Sequence, residues 1–244
     1  SIVATEQTIR RWIRFRPRDN APLGFLSEFL LGIGQRADAE TAYQRAAALG
    51  ARTADQTERR LVWGLRSDDI AAANRECTGL AGHVASNDTF RWFCSISLRM
   101  QGRFREALRL AEMRPRQEPM VAIVHMSTGN PQEAARGFLQ LAQQAAEYHV
   151  SSPGLLARNV TWNLTLAATA FVEGGDTTNA RRLIDSVEAT GRRSGFPRDQ
   201  LLHHFLRGLL FSRAAHHDSA VRHFRTALVS PSQGYTRINY ELAK

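Results

Sequence analysis

A turn residue followed five places later by an alanine recurs along this 244-residue chain, with an apolar helical stretch on each side. The clear copies are Gly34–Ala39, Gly102–Ala107, Gly129–Ala134 and Gly175–Ala180, and the weaker ones are Asp68–Ala73 and Ala215–Ala220. Glycine ends a helix because it enters left-handed backbone without a steric penalty. A small residue just inside the next helix lets the two helices approach closely. Each copy therefore predicts a helix–turn–helix hairpin. Their repetition predicts a solenoid in which each hairpin buries its face on its neighbours.

Helical periodicity runs through the whole chain, and strand signals are almost absent. Apolar residues recur at three and four in Leu201–Phe211 and again in Ala220–Leu228. Stop signals stand at Gly34, Gly50, Gly102, Gly129, Gly174, Gly175, Gly191 and Gly234, with Pro115 and Pro231 just beyond helices. The pattern predicts helix pairs at 21–33 with 37–49, 54–66 with 69–81, 88–101 with 104–114, 118–128 with 131–147, 155–174 with 177–194, and 198–214 with 217–230. Short turns force the members of each pair to run antiparallel. Segment 148–158 is the one loop-like interruption, a longer connection rather than a domain boundary.

The signature alanines are spaced by 34, 34, 27, 46 and 40 residues. The first two steps equal the period of tetratricopeptide repeats, and the chain resembles that family. The last repeat offers Gly208, Phe211, Ala215, Ala220, Phe224 and Ala227 at the family's pattern positions. The fifth offers Ala168, Phe171, Gly175, Ala180, Ile184 and Val187, and the first Ser27, Leu30, Gly34, Ala39, Tyr43 and Ala46. The third offers Ser95, Leu98, Gly102, Ala107 and Ala111, but has Arg114 where alanine is expected. The second departs most, with Gly64 at an apolar position and Asp68 at the glycine position. The resemblance implies an all-α fold, an α-solenoid (superhelix) of antiparallel hairpins. About six repeats would form a single domain over residues 1–244, with a half-hairpin at each end. Residues 5–16 read as the second helix of one hairpin and 236–244 as the first helix of another. These ends lead to the expectation that the sequence is a fragment, or the ordered part, of a longer protein.

The net charge is +9, and Lys244 is the only lysine beside 31 arginines. Codon bias of a GC-rich genome explains such a balance; so does an anion-binding surface, since guanidinium forks suit carboxylates and phosphates. The arginines cluster at Arg10–Arg18, Arg99–Arg109 and Arg192–Arg198. No strip of alternating basic and aromatic residues of the RNA-binding kind occurs, which argues against nucleic acid as partner. The richest apolar run, Leu164–Val172, is far shorter than a membrane span. No signal peptide is visible at the start. The expectation is a soluble protein, cytoplasmic or periplasmic, with a place at the periphery of a membrane left open.

Candidate chemistry is sparse. Cys77 and Cys94 fall in adjacent antiparallel helices at similar distances from the turn between them. Two readings stay open: a disulfide, which would favour the periplasm, or two small buried apolar residues. The pairs His203–His204 and His216–His217, with His223, lack the spacing of metal ligands. No phosphate loop, nucleophile elbow or zinc-protease motif occurs. The sequence therefore predicts no enzyme, no metal and no cofactor.

The family resemblance implies that first helices line a concave, partner-binding face. Carried over by repeat position, that face comprises Glu28, Glu58, Val62, Arg66, Trp92, Ile96, Arg99, Met126, Phe205, Leu209 and Arg213. Aromatic residues and arginine are the types that dominate binding hot spots. On this assignment Trp92→Ala with Phe205→Ala weakens partner binding and leaves the helical signal intact. The reading that follows is a non-catalytic protein–protein interaction scaffold, a subunit or module of a larger multiprotein complex, with association of that complex with a membrane left open. The alternative is a sensor or regulatory module of a bacterial signalling or transcription-regulatory protein, attached to an effector domain.

Overall fold

The computed structural model of the chain describes residues 2–50, 53–79, 87–113, 119–147, 152–228 and 236–244, with the side chains of 53–59, 146–147 and 236 outside that description. Every regular element among the described residues is helical. The chain divides into two compact units, Ser1–Leu110 and Ala111–Lys244.

The first unit holds α1 (Ile2–Phe15), α2 (Asn20–Gly32), α3 (Arg36–Ala48), α4 (Thr53–Arg66), α5 (Ile70–Gly79), α6 (Asp88–Met100) and most of α7 (Phe104–Ala111). The second holds α8 (Met120–Ser127), α9 (Pro131–Glu147), α10 (Pro153–Glu173), α11 (Thr177–Arg193), α12 (Leu202–Arg213), α13 (His217–Ala227) and α14 (Thr236–Ala243). A 3-10 turn, Asp199–Leu201, precedes α12. Five of the six expected hairpin pairs are seen packed: α2 on α3, α4 on α5, α8 on α9, α10 on α11 and α12 on α13.

The recurring signature has one structural cause. All six turn residues lie in left-handed backbone: Gly34, Gly102, Gly129 and Gly175 with φ between 72° and 83°, Asp68 at 64° and Ala215 at 58°. The residue after each donates its N–H back to a carbonyl of the preceding helix, as in Gln35 to Leu30, Arg103 to Leu98 and His216 to Phe211, each at 2.9 Å. This bond satisfies a carbonyl that the helix end would otherwise leave unpaired. The same residue then opens the next helix, because its own carbonyl accepts the N–H of the signature alanine. Ala39 bonds to Gln35, Ala107 to Arg103 and Ala220 to His216, all at 3.0 Å. One residue thus closes a helix and starts another, and the alanine falls where the second helix first touches the first. All six alanines are at most 3% exposed.

Ala215 is the one turn position whose side chain has no affinity for left-handed backbone, where a Cβ costs roughly 1–2 kcal/mol. Glycine removes that strain but loses about 0.4–1 kcal/mol to its greater freedom when unfolded. Ala215→Gly should therefore stabilise the second unit by about 0.5–1 kcal/mol, and Asp68→Gly should gain less, since aspartate tolerates this region. Chemical denaturation of both variants checks the order.

Several boundaries differ from the sequence pattern. The helix expected at 104–114 ends at Ala111, and that expected at 217–230 ends at Ala227, with Leu228 already extended (ψ 97°). Residues 80–81, 114, 118 and 229–230 of the predicted helices lie outside the described residues. The stretch 198–214 begins as a 3-10 turn because Asp199 turns its side chain inward to Ser194 and Arg198 instead of continuing a helical register. In the 148–158 segment, α10 starts at Pro153, where the missing N–H matters least and φ is preset for a helix.

Candidate partner-binding site

In the first unit α2 packs on α4 and α4 on α6, so first helices of successive hairpins stand side by side. A pocket of about 110 Å³ opens there, lined by Gly24, Phe25, Glu28 and Leu31 of α2, Tyr43 of α3, and Val62, Trp63 and Arg66 of α4. Gly24 and Ser27 make room for it, and the Ser27 hydroxyl is satisfied by donating to the Gly24 carbonyl at 3.0 Å. One wall is rigid: the rings of Tyr43 and Trp63 stack with centroids 4.8 Å apart. Across the mouth Arg66 Nη1 donates to Glu28 Oε2 at 2.9 Å. Both side chains are about half exposed, so this pair contributes little to stability, roughly 0–1 kcal/mol, and either charge can be exchanged for a partner's. Phe25, 56% exposed, stands at the rim with Trp12 of α1 against it (centroids 5.7 Å).

Of the residues expected to face a partner, Glu28, Val62 and Arg66 meet in this pocket. The side chain of Glu58 lies outside the described residues. Trp92, Ile96 and Arg99 follow one another at helical spacing on α6 and are half-buried. Burial pushes the Arg99 guanidinium below its ordinary pKa. The pocket also contains Phe25, Tyr43 and Trp63, which the repeat-position assignment missed.

In the second unit the assignment needs correction. Phe205 is 0% exposed and Leu209 is 6% exposed, both in one core with Leu202, Leu206 and Phe224. A ring enclosed in this way offers nothing to a partner. The cause is that α12 packs against α10, α11 and α13, so little of its circumference is free. Met126 is half-buried against the alanine-rich core of α8 and α9. Arg213 is exposed and donates to the Glu173 carbonyl at the end of α10 (3.3 Å).

Cys77 of α5 and Cys94 of α6 are joined as a disulfide, with Cα atoms 5.6 Å apart. Among the described residues no group of three or more His, Cys, Asp or Glu is arranged to hold a metal ion. No described helix is long and apolar enough to cross a membrane.

The histidines of the second unit do come together, though for another purpose. His204 Nδ1 lies 3.0 Å from His223 Nδ1, which requires one ring to donate and the other to accept. The His203 ring lies 4.2 Å from that of His204, and the His223 ring stacks on Phe211 at 5.3 Å. Burial is the main force holding all three imidazoles below their usual pKa, aided by Arg207 beside them. Glu188 is held low by the His203, Arg192 and Arg207 charges. An imidazole that binds protons less readily folded than unfolded contributes stability above the unfolded pKa of about 6.5. That contribution is lost as pH falls from about 6.5 through the lower folded values. Denaturation midpoints should therefore drop on acidification below about pH 6.5, and His223→Gln should flatten the drop.

No family model matches the chain, and no curated protein matches it. Among solved structures, a tetratricopeptide repeat protein from Parabacteroides merdae aligns over 99% of this chain and 91% of its own, with a TM-score of 0.60 and 16% identity. The likeness extends over both units and so covers every hairpin described above. Stacked hairpins of this kind build broad surfaces suited to binding other proteins. Six hairpin turns of one geometry and a solved structural counterpart identify the chain's fold as a tetratricopeptide-repeat-like all-α solenoid.

Proposed function

We propose that the chain is a non-catalytic protein–protein interaction scaffold whose first unit receives a partner in the α2–α4 pocket. The carrying observation is an apolar socket with a weakly held Glu28–Arg66 pair across its mouth. An apolar side chain of a partner would enter against Val62 and Trp63, while its polar flanks exchange with Glu28 and Arg66. Trp92, Ile96 and Arg99 would extend the same contact along α6. The Cys77–Cys94 disulfide supports an oxidising compartment for the protein, since such bonds do not persist among cytosolic thiol reductants.

The test is affinity for partners isolated from the native source and purified. Phe25→Ala with Arg66→Ala should weaken binding by about 10–100-fold, the range of a hot-spot loss. Helicity should be unchanged, because both side chains are exposed. Undiminished binding by this folded double variant would remove the pocket from the interface.

A further inference from the structure

A second surface lies in the second unit, on the loop between α11 and α12. It is unusually well built for an exposed loop. Asp199 is fully buried and accepts from the Ser194 hydroxyl at 2.7 Å, and from Arg198 at 3.0 and 3.2 Å. The Phe196 N–H donates to the same Ser194 hydroxyl at 3.2 Å. Gly191 lies so close beneath that a Cβ there would stand 2.4 Å from the Asp199 carbonyl oxygen. The loop is also cross-stacked onto α10. The Arg158 guanidinium lies over the Phe196 ring at 3.8 Å, and the Arg198 guanidinium over the Trp162 ring at 4.6 Å.

The two stacked arginines differ in one respect. Arg198 spends its donors on Asp199. Arg158 pairs with no carboxylate among the described residues and packs on the Phe196 ring. A guanidinium seated face-on against a ring keeps its N–H edge free, and its side-chain entropy is already reduced. Beside it two apolar side chains remain in solvent, Phe196 at 37% exposure and Leu155, one turn earlier on α10, at 41%. The backbone of Arg193 passes close to the start of α10, its carbonyl 4.0 Å from the Cβ position of Gly154, and its side chain is exposed.

We propose that this elbow docks a short acidic segment of another protein, Arg158 taking a carboxylate and Leu155 with Phe196 taking the apolar side chain next to it. The inference rests on the scaffold reading but not on the α2–α4 pocket. Charge complementarity selects the occupant: an arginine that pairs with no carboxylate among the described residues, held beside an apolar patch, fits alternating acidic and apolar residues. A nucleic acid fits less well, because guanidiniums already cover a face of both aromatic rings on which a base could stack.

The experiment uses the whole chain and three dye-labelled probes: a peptide of alternating glutamate and leucine, the same peptide with glutamine for glutamate, and a single-stranded oligodeoxynucleotide. The acidic peptide should bind and the glutamine peptide should bind far more weakly. Arg158→Gln and Phe196→Ala should each reduce binding of the acidic peptide about tenfold or more. Arg158→Lys, which keeps the charge but not the flat fork, should fall between. Phe25→Ala with Arg66→Ala should leave this binding unchanged, so the two sites fail or succeed separately. The proposal is overturned if the acidic peptide does not bind, if Arg158→Gln binds it as well as the parent with an intact helical signal, or if only oligonucleotide binding depends on Arg158.

Discussion

Phe205→Ala should destabilise the second unit by about 3–5 kcal/mol, the cost of emptying a large site in a packed core. The ring is fully enclosed and stands 6.1 Å, centroid to centroid, from that of Phe224. Refilling is hindered because Phe224 itself is fixed against Gly208, where a Cβ would come within 2.5 Å of the ring. The neighbours therefore collapse little into the hole, which places the loss toward the upper part of the range. The effect should appear in urea denaturation as a lower midpoint with a nearly unchanged slope. This reverses the expectation drawn from repeat position, that Phe205 could be truncated with the helices left intact. A stability loss under about 1 kcal/mol would mean that the Phe205 ring is not enclosed.

Reduction of the Cys77–Cys94 bond should lower the stability of the first unit by about 3 kcal/mol. The bond closes a loop with a sequence separation of 17 residues, and opening it returns that loop's freedom to the unfolded chain. Both sulfurs sit by the core of Leu61, Ala73 and Phe90, so the freed thiols stay in apolar surroundings they suit. Comparing oxidised with reduced protein thus isolates the cross-link. Cys77→Ser with Cys94→Ser should cost more, since it also buries a hydroxyl at Cys94, which is 2% exposed. Equal denaturation curves with and without reductant would remove the disulfide from the account.

The hairpins were legible because their turn chemistry is local. A helix-ending residue and an alanine five places on are both dictated by backbone geometry within one turn, so they survive in the sequence even where Asp68 or Ala215 replaces glycine. The binding face was less legible because it depends on how many neighbours each first helix has. Glu28, Val62 and Arg66 meet at an open pocket, whereas Phe205 and Leu209, carried over by the same rule, are enclosed. A signal was present: α12 is apolar around much of its circumference, at Leu202, Phe205, Leu206, Leu209, Leu210 and Phe211, the mark of a helix covered on several sides. The threonines of α10 hid their burial better. Thr161, Thr165 and Thr169 are fully enclosed, and each hydroxyl donates to the carbonyl four residues back, a solution within the helix itself that makes a polar residue acceptable inside. The Arg158–Phe196 and Arg198–Trp162 stacks join residues more than thirty positions apart and left no local trace.

The shared turn also decides where this chain can change length. Because one residue both ends a helix and begins the next, the interval from turn residue to alanine contains no slack. One inserted residue between Gly175 and Ala180 would swing α11 by about 100° about its axis and carry Ala180 out of its contact with α10. The distance from one signature alanine to the next, by contrast, ranges from 27 to 46 residues while all six turns keep their form. Insertions and deletions have a free register only outside the turns, so duplicated or engineered hairpins can be joined at any length there, provided the five-residue interval is copied whole.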